Sequence, residues 1–100
     1  MIPPAFIDFP AGSPVMTRQA RAQVLAALRT MERYRRDTSA YLCALGPEAA
    51  PDLRTRRVDT VRRMLRRYRV ARTHDEPTKC LAIPQGERNG VLITWWPQWR

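Results

Sequence analysis

The sequence predicts an α+β domain, a three-helix core followed by a small antiparallel β-sheet, and three observations point that way. The run Val58-Asp59-Thr60-Val61-Arg62-Arg63-Met64-Leu65-Arg66-Arg67-Tyr68 is an amphipathic helix pattern with an almost wholly arginine polar face. At about 100° per residue, Val58, Val61, Met64, Leu65 and Tyr68 share one arc, and Arg63, Arg66 and Arg67 project from the other with Asp59 and Thr60. Two apolar segments with helical spacing precede this run, and short turn-punctuated apolar segments follow it. A chain of 100 residues has room for one small domain with a modest core. The expected organisation is an extended N-terminal arm over residues 1–16, the domain over 17–96 and a tail over 97–100.

Pro3, Pro4, Pro10 and Pro14 beside Phe6, Ile7 and Phe9 exclude a helix in the arm, which either packs on the domain or a partner or stays mobile. Thr17 is the expected N-cap of helix one, residues 18–33, with Val24, Leu28 and Met31 as one stripe and Ala20 and Ala27 beside it. Arg18, Arg21 and Arg29 lie off that stripe, where solvated charges belong. Asp37-Thr38 reads as the cap of a short helix two, residues 39–45, carrying Tyr41, Leu42 and Leu45 and ended by Gly46-Pro47. A Pro-containing connection follows, longer than the roughly three or four residues of a tight helical turn. Helix three is expected from Asp52 or Thr55 as cap to Tyr68 or Arg69. Residues 70–73, 79–83 and 90–96 read as three strands, joined by His74-Asp75-Glu76-Pro77 and by residues 84–89, in which Asn89-Gly90 is a turn dipeptide.

The formal charge is +9 and the pI near 11.2, and Lys79 is the only lysine among 18 basic residues. Arginine presents a planar fork suited to phosphate and guanine edges, so clustered arginines favour nucleic acid over the alternative of codon bias in a GC-rich genome. Cys43 and Cys80 form no metal-ligand array with the single histidine, His74. They read as two buried reduced thiols, with a disulfide left open. No metal and no cofactor is expected. No apolar stretch spans a bilayer and the N-terminus lacks a signal-peptide pattern, from which a cytoplasmic protein without membrane contact is expected.

The stretch 38–95 resembles a winged helix-turn-helix domain of the bacterial or phage transcription-regulator type. Thr38-Ser39-Ala40-Tyr41-Leu42-Cys43-Ala44-Leu45-Gly46 corresponds to the positioning helix, Val58 to Leu65 to the recognition helix, and Val70-Ala71-Arg72-Thr73 to the strand entering the wing. Helix one completes the core. The resemblance implies that Thr60 faces the DNA groove and that Val61 and Leu65 face the core. It also places Arg56, Arg57, Thr60 and Arg63 near base edges. Arg66 and Arg67 lie on the outer face, where they reach phosphate or remain solvated, and Lys79 and Arg88 flank the hairpin connections as wing contacts. Asp59 either reads a cytosine amine or pairs with Arg62 or Arg63 at helical spacing, and Tyr68 closes the core.

The implied function is a non-enzymatic, double-stranded-DNA-binding transcriptional regulator, helix 55–69 entering the major groove, with a possible homodimer reading two half-sites and a phage or mobile-element origin. The alternative is an interaction adaptor on the same scaffold, binding a protein partner through the C-terminal tryptophans and the apolar arm. Trp95 is expected to point inward and Trp96 outward, with Trp99 beyond Pro97; Trp96 and Trp99 are the candidate partner-binding residues. One histidine, no nucleophile with a recognisable base and no paired carboxylates argue against an enzyme.

Overall fold

The computed structural model describes residues 3–32, 39–46, 50–68, 70, 72–75 and 88–96. The elements run β1 (Ala5–Asp8), α1 (Arg18–Glu32), β2 (Ser39–Leu45), α2 (Pro51–Arg67), β3 (Thr73–Asp75) and β4 (Gly90–Trp96). The strands form one mixed sheet in the order β1-β4-β2-β3. β4 is antiparallel to both β1 and β2, and β3 lies parallel to β2. Strands β1, β2 and β3 therefore share a direction, and the two helices serve as the crossovers that parallel strands require.

This architecture overturns the three-helix core with a β-wing: the described residues hold two helices and a four-stranded mixed sheet. Ser39–Leu45, expected as helix two, is a strand paired on both sides. Ala40, Leu42 and Ala44 turn toward the helices, while Cys43 and Leu45 pack with Phe6 and Leu92 on the opposite face. A strand enclosed on both faces reads as a continuous apolar run, and over seven residues such a run carries no period that separates it from a buried helix. The expected strand 70–73 gives way to β3 at Thr73–Asp75, so His74 and Asp75 are strand residues rather than a connection. The expected strand 79–83 lies outside the described residues.

The N-terminal arm belongs to the sheet through β1, Ala5–Asp8. β1 pairs along β4 from Ala5 opposite Ile93 to Asp8 opposite Gly90, and Ile7 and Phe9 are buried. β1 passes close enough to β4 that a Cβ at Gly90 would meet the carbonyl oxygen of Ile7, which explains a residue without a side chain there.

α1 starts as the sequence predicts: Ala20 N–H donates to Thr17 Oγ1 at 3.0 Å, and Ala20, Val24, Ala27, Leu28 and Met31 are buried. α2 begins differently. Its N-cap is Ala50, with no side-chain hydrogen bond, and Pro51 occupies the first turn, where its missing N–H costs nothing. Asp52 adds negative charge at the helix's positive end but is not the cap, and Thr55 donates its hydroxyl to Pro51 O. Val58, Val61 and Leu65 pack on the sheet beside Ile93 and Trp95 in one core cluster. Trp95 is buried and Trp96 is 55% exposed, the expected alternation at the end of β4. Cys43 is disulfide-bonded, which replaces the expected reduced thiol; Cys80 lies outside the described residues.

Candidate anion-binding face

The face of α2 turned away from the sheet follows from its sequence. Val58, Val61 and Leu65 take the sheet side, which leaves Arg56, Arg63, Arg66 and Arg67 exposed on the outside. None of these four arginines has an ion-pair partner among the described residues. Arg62 does: its guanidinium bridges Asp59, three residues back, and Asp75 of β3, and its Nε donates to Thr73 Oγ1 at 3.2 Å. Asp59 is therefore an internal partner that fixes Arg62, and the pair ties α2 to the edge strand.

Arg57 departs most from its expected place near base edges. It is 1% exposed, with Nε donating to Ser13 O at 3.0 Å and Nη2 to Pro10 O at 2.8 Å. Its guanidinium carbon stands 5.6 Å from the centroid of the Phe9 ring. Burial lowers its pKa from the ordinary arginine value, yet the group stays charged at neutral pH. Arg57 thus clasps the turn at Pro10–Ser13, where Ser13 N–H donates to Pro10 O and Gly12 takes the left-handed φ of 70°. Thr60 joins the same work: its hydroxyl lies 3.0 Å from Pro14 O and 2.9 Å from Arg56 O. Neither side chain presents itself as the groove reader that the resemblance implied.

Arg88, expected at a projecting wing tip, instead folds back at the start of β4. Its Nη2 donates to Asp8 Oδ2 at 2.9 Å, and its guanidinium lies 4.0 Å from the centroid of the Phe6 ring. Asp8 also accepts from Gln23 Nε2 at 2.7 Å, so one carboxylate joins β1, α1 and β4. Lys79 and Trp99 lie outside the described residues.

Two cavities flank α2. One, of about 300 Å³ beside the start of the helix, is lined by Leu42, Ala44, Arg54, Thr55, Asp59 and Asp75 among others and mixes both charge signs. The other, of about 290 Å³, lies where the start of α1 meets the end of α2 and is lined by Met16, Arg21, Thr60, Arg63, Met64, Arg67 and Tyr68. Among the described residues three arginines and no carboxylate surround it. Tyr68, expected to close the core, is 40% exposed on its wall. Sequence reasoning missed Arg21, which reads as an ordinary solvated charge until the packing of α1 beside α2 brings it to Arg63 and Arg67. Nothing in the linear spacing carries that signal. No helix of the described residues is long and apolar enough to cross a membrane. The chain matches no protein-family model, no curated protein and no solved structure.

Proposed function

We propose that the chain is a non-enzymatic binding module that docks the outer arginine face of α2 on a polyanion, with duplex DNA, held by its phosphates, as the partner. The observation that carries this reading is the set of Arg56, Arg63, Arg66 and Arg67, exposed and without ion pairs among the described residues, on a chain of net charge +9. Surface arginines normally sit among carboxylates; four on one helix without a partner create a field that draws multivalent anions. Because α2 lies against the sheet with α1 beside it, its arginines meet a duplex as phosphate contacts. Such contacts fix position and carry no sequence information.

The test is fluorescence-anisotropy titration of random and chosen duplexes at several salt concentrations. Four neutralised phosphates give a log–log salt slope of about −3.6, at −0.9 per phosphate. Arg63→Ala/Arg67→Ala is expected to bring the slope to about −1.8 and to weaken all duplexes alike. A slope unchanged in the double variant, or no binding at low salt, overturns the proposal.

The disulfide at Cys43 favours a second reading, since disulfides persist in oxidising compartments rather than in the reducing cytoplasm expected from sequence. There the same arginine face would meet an acidic protein partner. Binding of poly-glutamate but not duplex, abolished by the same double substitution, selects this reading.

A further inference from the structure

We infer that the cavity between the start of α1 and the end of α2 is a discrete site for a small organic anion, a phosphate monoester carrying an apolar group. The inference shares Arg63 and Arg67 with the proposed polyanion face, but it depends on Arg21 and on the half-open groove between the two helices, which a flat phosphate-docking surface does not need.

Arg63 and Arg67 stand one helical turn apart on α2, where like charges repel and destabilise the helix. Arg21 arrives from α1 and adds a third guanidinium to the same space. Among the described residues no carboxylate lines the cavity and none of the three arginines is ion-paired. Arg62 and Arg88 differ, being held by Asp59 and Asp75 and by Asp8; Arg56 and Arg66 are unpaired too among the described residues, but do not line the cavity. The convergence at the cavity therefore leaves a positive charge excess that a bound anion would relieve. The amino end of α1 adds to it, because the first turn contains no acidic residue to offset the helix's positive pole.

The rest of the lining selects the kind of anion. Met16 and Met64 are half-buried apolar side chains that adapt to irregular shapes, and Tyr68 supplies an aromatic wall. The Thr60 hydroxyl oxygen, whose proton is taken by Pro14 O or Arg56 O, is left as an acceptor at the margin. A space of about 290 Å³ is at the small end of ligand pockets. It suits one charged head with one ring or short chain, and guanidinium forks match the oxygens of a phosphate.

The experiment is an amide-resolved NMR titration of the full chain with phenyl phosphate, inorganic phosphate and phenol. The expected result is saturable binding of phenyl phosphate, with shifts centred on Met16, Arg21, Thr60 and Met64. Inorganic phosphate binds about tenfold more weakly and phenol weaker still. Arg21→Ala is expected to weaken phenyl phosphate about tenfold, and Arg56→Ala, outside the cavity, to leave it unchanged. Non-saturating shifts spread over all exposed arginines, or equal losses in Arg21→Ala and Arg56→Ala, overturn the site. Arg67→Ala provides a second variant on the other helix, with the same expected loss. Vesicles of phosphatidylcholine with and without phosphatidic acid separate the sources: co-sedimentation lost in Arg21→Ala identifies a lipid headgroup, and its absence beside phenyl phosphate binding identifies a soluble monoester. Duplex titration of the same variants keeps the two readings apart, since Arg56→Ala is expected to lower duplex affinity alone.

Discussion

Arg57 shows how far a residue's identity falls short of its role. In the sequence it is one of two consecutive arginines at the front of a basic helix; in the fold it is the most buried charge among the described residues and joins α2 to the Pro10–Ser13 turn. Its fork makes two hydrogen bonds to carbonyls, and its Nη1 meets no acceptor, so the group is held by geometry rather than by full satisfaction. Arg57→Lys keeps the charge but cannot span both carbonyls. It is expected to cost about 2 kcal/mol in urea unfolding, the loss of one charge-assisted hydrogen bond and the ring contact. An unchanged midpoint would show the clasp to be incidental. Gly90 has the opposite character, contributing through the absence of a side chain. Gly90→Val is expected to cost about 1–3 kcal/mol, because a Cβ there meets Ile7 O in the adjoining strand.

At the scale of elements, legibility tracked periodicity. α1 was legible down to its Thr17 cap and buried stripe, and β4 to both ends and the inward Trp95, because each pattern is long or sharply bounded. α2 was legible in its faces but not in its cap, since Pro51 at the first turn serves where a polar cap was expected. β2 was not legible: Ser39–Leu45 has no Val, Ile or Thr to mark it as strand, and its pairing with both β4 and β3 is a long-range fact. β1 was obscured by its prolines, which flank the four-residue strand at Pro4 and Pro10 without interrupting it. Of the candidate site, the arginine face was legible from spacing alone, whereas Arg57, Arg88 and Arg21 took their places from tertiary partners. The arm therefore has a definite role as an element. A chain lacking residues 1–16 loses Ile7 and Phe9 from the core and uncovers the β4 edge. It is expected to lose cooperative unfolding by circular dichroism and to associate in size-exclusion chromatography. A truncated chain that stays monomeric with an unchanged midpoint would reduce the arm to an accessory.

For the whole molecule, the sheet separates two sets of interactions that the sequence interleaves. Toward the helices lie the main core and, beyond it, the arginines of α2; on the opposite face Cys43 and Leu92 are buried with Phe6 and Leu45 against them. The disulfide at Cys43 belongs to the second set. A domain of 100 residues buries a smaller share of its surface than a larger one does, so a covalent tie on the face without helices adds to a small net stability. Reduction with dithiothreitol is expected to lower unfolding free energy by about 2–4 kcal/mol, read as a shift of the urea midpoint. The arginine face is built on α2 and the other side of the sheet, so at urea-free concentrations where the reduced chain remains folded its affinity for duplex or phenyl phosphate is expected to stay within about twofold of the oxidised form. Loss of anion binding at a stage where far-ultraviolet circular dichroism still reports the native fold would show instead that the tie reaches through β2 to position α2. A chain that unfolds outright on reduction would bind neither ligand. Its anion-binding form would then exist only where disulfides persist, which decides between the cytoplasmic duplex reading and the acidic-partner reading in favour of the second.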